Sequence, residues 1–307
     1  MNNRIYDMVI IGGGPGGYTA GLYAARAGLQ VVILEKLSAG GQMALTQQVD
    51  NYPGFPEGID GFLLAENMQQ QAERFGAVTE YAEVTGVDFY KNPKVVETSE
   101  GTFYGKTVII ATGANPKKLG IAGEWELVGK GVNYCAACDG MFYKGKHVVV
   151  IGGGNSAAAD ALTLSRVASK VTIVHRRDSL RATKVYHQPL QDAPNVEFFW
   201  NSTVTELFHN GKLTGVRLKN VLTEEETSLP CDGIFISVGR APATALFAQQ
   251  LALDGSGYIQ ANETTETSIP GVYAVGDVRT KPLRQIVTAV ADGAMAVHMA
   301  EEYLAAQ

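Results

Sequence analysis

The chain has 307 residues, 46% of them hydrophobic and 18% charged, with a formal net charge of −6, a globular composition with room for two domains. That acidic balance argues against wholesale attraction to nucleic acid or anionic lipid, so any anion site must be local. No apolar run reaches bilayer-spanning length, and the apolar start, Met8 to Ile11, follows Asp7 and runs into glycines, unlike a secretory leader; no membrane or nucleic-acid partner is expected, and the cytoplasm is the expected compartment.

From Asp7 the chain reads DMVIIGGGPGGYTAGLYAARAGLQVVILEK: an apolar strand, a glycine turn, a helical stretch and a second apolar strand. Gly12, Gly14 and Gly17 form G-x-G-x-x-G, with Pro15 where the helix should start. Each position needs a small residue. The first lets the chain turn sharply, the second lets backbone approach a pyrophosphate, and the third lets helix and strand pack closely. Phosphates then rest at the helix N-terminus. Glu35, at the end of the second strand, suits an adenosine ribose hydroxyl.

Next come GGQMALTQQVDNYPG, a loop containing Gly41, Gln42 and Asn51, and TVIIATGANP, a buried strand running into Ala111, Thr112 and Gly113. Periodicity alone makes Gln42 and Asn51 ordinary polar loop residues. Residues 135–140 read CAACDG. Three cysteines in all cannot make a secreted disulfide framework, and the five histidines stand singly, so no zinc quartet is expected and no metal site is assigned. A C-x-x-C pair in an α/β chain reads instead as a redox pair, Cys135 with Cys138. Asp139 is placed to act as an acid-base partner, although a turn residue before Gly140 is the alternative.

A second βαβ unit follows from Lys146, KHVVVIGGGNSAAADALTLSRVASKVTIVHRR. Gly152, Gly154 and Ala157 give G-x-G-x-x-A, with Asn155 and Ser156 opening the helix. His175 replaces the strand-end acid, and Arg176, Arg177 and Arg181 follow it. Guanidinium groups suit a ribose 2′-phosphate, so this unit reads as an NADPH site rather than an NADH site, the alternative being a solvated basic face. Cys231, at the start of a buried strand, reads as a packed apolar residue. Near the C-terminus a strand leads to Gly276-Asp277 and then to a long amphipathic helical pattern.

Together the first fingerprint, the ATG after a strand, the GD before the last helix and the inserted second unit resemble the two-dinucleotide-binding flavoprotein reductases. CAACDG just ahead of the second unit resembles the low-molecular-weight, bacterial-type thioredoxin reductases. The resemblance runs from Asp7 to about Tyr303. It implies an α/β fold of two Rossmann-like domains, the NADPH domain (117–244) inserted into the FAD domain (1–116 and 245–307).

The resemblance further implies that Gly12, Gly14, Gly17, Glu35, Gly41, Gln42 and Asn51 line FAD, that Asp277 binds its ribityl or phosphate portion, and that Arg284, Gln285 and Ile286 lie near the isoalloxazine. It makes Cys138 the sulfur facing the flavin and Cys135 the one that attacks oxidised thioredoxin, in a homodimer. Since NADPH and the disulfide must reach the same flavin, rotation about the segments beginning at Asn115 and Val238 is expected. One departure is Ala243, where relatives commonly carry Asn.

Rival readings keep the fold and change the partner: a dithiol oxidase, a ferredoxin-linked reductase, a ferredoxin-NADP reductase, a redox sensor, or the flavoprotein subunit that reduces peroxiredoxin. The intact second unit argues against the first two, and CAACDG against the third. The complete electron path argues against the sensor, and the lack of fused thioredoxin-like modules against the last.

Overall fold

The computed structural model describes residues 4–46 and 48–307. The chain forms two compact units, one of residues 1–115 with 241–307 and one of residues 116–240.

In the first unit β1 (Ile5–Ile11) leads into α1 (Pro15–Arg26) and β2 (Val31–Glu35), then α2 (Gly61–Arg74) and β3 (Val78–Tyr81). These strands pair in parallel, as βαβ crossovers require. A meander of β4 (Val84–Asp88), β5 (Lys94–Thr98) and β6 (Gly101–Ile110) returns the chain, so that β6 lies parallel to β1 on its other side. The C-terminal halves of β1 and β6, Met8–Ile11 and Thr107–Ile110, are buried throughout because both faces of the sheet are covered there.

The chain then passes through β7 (Ala114–Pro116) into the second unit. Here β8 (Val132–Asn133) precedes a single turn of helix, α3 (Ala136–Asp139), and β9 (His147–Ile151), α4 (Asn155–Ser165), β10 (Lys170–Val174), α5 (His187–Asp192) and β11 (Val196–Phe199) follow. An antiparallel meander of β12 (Ser202–His209), β13 (Leu213–Asn220) and β14 (Glu226–Pro230) precedes β15 (Gly233–Ile236). The parallel sheet has the order β11-β10-β9-β15-β8. Its core is aliphatic, with Val148, Val150, Ile173, Phe235 and Leu164 fully buried on one side.

β16 (Arg240–Pro242) pairs with β7, so both passages of the chain run through one two-stranded ribbon. β17 (Val272–Ala274) then adds in parallel to β6, and α6 (Ile286–Ala305) closes the first unit. α6 packs against α1 through missing side chains: a Cβ at Gly293 would lie 2.4 Å from Gly16 O, and one at Gly16 would lie 3.1 Å from Ala289 O. That approach brings the start of α6 beside the first glycine turn. No helix among the described residues is long and apolar enough to cross a membrane.

Candidate functional site

In the first unit the sequence-selected residues gather at the C-terminal ends of β1, β6 and β17. Ala111 N donates to Ile11 O at 2.8 Å and Val275 N to Ile110 O at 2.9 Å. Gly12 turns at φ +105, and a Cβ there would lie 2.6 Å from Ala111 O. A Cβ on Gly17 would lie 1.9 Å from Gly12 O, whereas one on Gly14 would meet nothing within 4 Å. The first and third positions are therefore closed by the protein itself, and the second faces open space above α1, where Pro15 occupies N1. Ligands of open α/β sheets bind at such strand ends.

Glu35 ends β2 with its carboxylate held by two amides, Gly13 N at 2.7 Å and Lys36 N at 2.8 Å. Gly41 adopts φ +54 in the adjoining loop. Gln42 donates to Asn115 Oδ1 at 3.1 Å and Asn51 to Gln285 Oε1 at 3.0 Å, so both amides join the crest. Gln285 caps α6, Ile286 is its first residue, and Arg284 lies over the Tyr258 ring at 4.0 Å with a buried Nε that has no partner among the described residues.

Gly276, at φ +72, donates its amide to Asp292 at 2.8 Å, and the half-buried Asp277 follows. Asp292 also receives Arg279 at 2.7 and 2.9 Å and Lys281 at 2.7 Å, all three side chains at most 8% exposed. Burial would raise the Asp292 pKa, but these donors hold it below the usual carboxylate range. Sequence reasoning missed this cluster, whose members share no local spacing.

The departure at Ala243 is neutral for the backbone. Its N–H donates to Gly113 O at 3.0 Å and its carbonyl accepts from Thr112 Oγ1 at 2.9 Å, contacts that do not involve the side chain of residue 243.

The second unit repeats the device. Gly152, at φ +145, would place a Cβ 2.5 Å from Ser237 O and 2.9 Å from the Cβ of Ala157, while Gly154 faces open space. The loop after β10 folds back on this turn, with Arg181 N and Ala182 N donating to Gly153 O at 2.7 and 3.1 Å and Thr183 N donating to Asn155 Oδ1 at 2.8 Å. Ser156 is exposed on the first turn of α4, and Arg176, Arg177 and Arg181 are exposed. His175 is buried under Gly153, and its Nε2 has no partner among the described residues. Burial, and then the three arginines, push its pKa down, so the ring is neutral at neutral pH. The open second glycines, the held carboxylate of Glu35 and the cationic loop after His175 fit one dinucleotide per unit, the second with an extra phosphate.

Cys135 and Cys138 are joined as a disulfide across a Cα separation of 5.3 Å. Cys135 is the N-cap of α3 and its Sγ accepts from Cys138 N at 3.2 Å. Asp139 ends this helical turn half-buried, and burial pushes its pKa up to about 6. Tyr134, immediately before the pair, donates to Glu124 at 2.6 Å, and the same carboxylate accepts Leu119 N and Gly120 N at 3.1 and 2.8 Å. Cys231 is a buried free thiol with its pKa pushed up to about 12, first by burial, as suits a packed apolar residue. No group of three or more His, Cys, Asp or Glu among the described residues has the arrangement of a metal site.

The model of the family described as pyridine nucleotide-disulphide oxidoreductase matches residues 6–293. The chain belongs to that family. It is 46% identical to the thioredoxin reductase of Bacillus subtilis over 98% of this chain and 95% of that one, and 43% identical to that of Treponema pallidum over 97% of each. The crystal structure of thioredoxin reductase from Streptococcus pyogenes superposes with a TM-score of 0.92 at 42% identity, covering 100% of both chains. The fold is the two-Rossmann-domain α/β architecture of these relatives.

Proposed function

We propose that this chain is an NADPH-dependent thioredoxin-disulfide reductase, carrying FAD in the first unit and NADPH in the second. The observation that carries the reading is the closed Cys135–Cys138 pair, lying in the same compact unit as the second glycine turn. Bound FAD would supply two-electron exchange with both a nicotinamide hydride and a disulfide. Glu35 would accept from the ribose of FAD, while Gly14 leaves its pyrophosphate room at the N-terminus of α1. Gly41, Gln42, Asn51, Ala111, Thr112, Gly113, Gly276, Asp277, Arg284, Gln285 and Ile286 would complete that site. Gly152, Gly154, Asn155, Ser156 and Ala157 would hold the NADPH pyrophosphate. Arg176, Arg177 and Arg181 would bind its 2′-phosphate, with His175 beneath them.

Once the pair is a dithiol, the Cys135 thiolate attacks one sulfur of the oxidised thioredoxin, and the other sulfur leaves and takes a proton. Cys138, deprotonated in turn, attacks Cys135 Sγ and releases the reduced partner as the internal disulfide reforms. Asp139, with a pKa of about 6, is poised to carry these protons at neutral pH. Rotation of one unit against the other would present NADPH and the cysteine pair to the flavin in turn. Resemblance to the thioredoxin reductases supports work in the cytoplasm and as a homodimer.

The test is anaerobic titration of the flavin-loaded protein with NADPH, then turnover with a separate thioredoxin and a disulfide dye. The wild type should take up one more two-electron equivalent than Cys138→Ser and consume NADPH rapidly only with thioredoxin. Oxygen consumption driven by a dithiol without nicotinamide would favour the oxidase reading instead.

A further inference from the structure

Asp160 lies on α4 and faces α3. Its carboxylate accepts Ser237 Oγ–H at 2.5 Å and the backbone N–H of Ala136, the residue that follows Cys135. Ser237 is buried at the end of β15: its N–H donates to Ile151 O at 2.8 Å, and its carbonyl lies against Gly152. One carboxylate in the second unit thus joins the nucleotide-turn helix, a sheet strand end and the first amide of the redox turn. Burial pushes its pKa up, and the bonds from Ser237 and Ala136 and the nearby charge of Arg240 oppose that rise.

Such a group does two separable things. As an acceptor it fixes the amide next to Cys135. As an anion it raises the free energy of a thiolate in the same turn, because like charges in a poorly solvated setting repel. When the disulfide takes up two electrons the S–S bond breaks, and wherever one sulfur of the reduced pair stands ionised at equilibrium it carries the charge that the carboxylate opposes.

We propose that Asp160 is a positioning residue for the Cys135–Cys138 couple, anchoring the amide that opens the redox turn and, through its charge, making the dithiol a stronger reductant. The proposal rests on the reading of this pair as the exchanging dithiol. Asp160→Asn separates the two roles, since the amide can still accept from Ala136 N–H and donate to Ser237 Oγ while carrying no charge.

The experiment equilibrates flavin-loaded wild type and Asp160→Asn across dithiothreitol redox buffers and traps free thiols by alkylation. The pH dependence of alkylation of the reduced protein is measured alongside. In the variant the equilibrium should shift about tenfold toward the dithiol, about 30 mV for a two-electron couple, and the apparent pKa of the reactive thiol should fall. Ser237→Ala removes a donor from the carboxylate, which leaves it neutral more of the time. That variant should shift the couple the same way by about two- to threefold, and it decides the matter if Asp160→Asn yields no loaded protein. Wild-type values for both constants in the variants, or shifts of opposite sign, would overturn the role of Asp160 alone. A wild-type pair that does not titrate at all would overturn the functional reading and this role with it.

Discussion

Gly14 and Gly17 stand in one turn yet lack side chains for different reasons. At Gly17 the protein itself occupies the space, with Gly12 O 1.9 Å from an added Cβ, so Gly17→Ala must displace backbone. It should lower the thermal midpoint of the flavin-free chain by several degrees. Gly14 has φ −78 and free space around it, so Gly14→Ala should cost only about 0.5–1 kcal/mol as a poorer N-cap. Flavin retention should nevertheless fall sharply, because the added methyl stands where the pyrophosphate is proposed to approach. Loss of flavin at a nearly unchanged flavin-free midpoint, read by calorimetry and absorbance, is the expected pairing; a variant that keeps its flavin would move the pyrophosphate elsewhere. Asp139 is tested on another axis. Its folded pKa of about 6 lies above the usual 3.8, so between those values the folded state binds more protons than the unfolded state. The stability it contributes is complete below pH 3.8 and is lost as pH rises through 6. Asp139→Asn should therefore be more stable than wild type at pH 7, by about 1–2 kcal/mol after allowing for partial exposure, with the difference gone near pH 4. The same variant should slow exchange with thioredoxin by about a hundredfold at neutral pH, the lower range for a lost acid-base group. Equal rates would return Asp139 to the status of a turn residue.

The loop from His175 to Ala182 illustrates what an element adds to its residues. The two amides on Gly153 O hold the end of the loop over the glycine turn, so Arg181 returns to the site from several residues beyond the strand. Replacing Arg177 or Arg181 by Ala should raise KM for NADPH by about ten- to a hundredfold per residue, in line with one charge-assisted contact, and leave KM for NADH nearly unchanged. A parallel rise for both nucleotides would mean that these arginines do not read the 2′-phosphate. Both βαβ units were legible in the sequence because everything they need is local: strand, small residues at fixed offsets, helix, and the strand-end residue. The start of α6 was legible from periodicity and from resemblance, which put Gln285 and Ile286 there, but what holds it was not. Asp292 draws Gly276, Arg279 and Lys281 together across the segment before α6 and the first two turns of that helix, and no spacing rule marks such a set. Asp160 escaped for the same reason, since it is a single acid whose partners, Ser237 and Ala136, lie on other elements. Asp292→Ala leaves two cations buried without their anion and should cost about 3–5 kcal/mol. Asp292→Asn, which retains acceptor and donor atoms, should cost less, and equal losses from the two would mean that charge is not what the site needs.

At the scale of the whole molecule, each unit has its own sheet and buried core, and the chain passes from one to the other only through β7 and β16. The first unit carries the proposed FAD crest, and the second carries both the glycine turn proposed for NADPH and the cysteine pair. On that proposal two electron-carrying sites on one body serve a single flavin on another, which would require alternation, because one body cannot present two of its own sites to the same point at once. The proposed rotation would turn about the two short strands through which the chain passes, β7 and β16, each core moving as a body. An engineered covalent link joining the two units on either side of the ribbon should therefore abolish turnover with thioredoxin while preserving one half-reaction, either flavin reduction by NADPH or electron exchange between flavin and Cys135–Cys138, according to the orientation trapped. Stopped-flow absorbance of the linked protein distinguishes these, and chemical release of the link should restore turnover. A linked enzyme that turns over at the wild-type rate would refute alternation, and the two sites would then have to serve the flavin from one fixed arrangement.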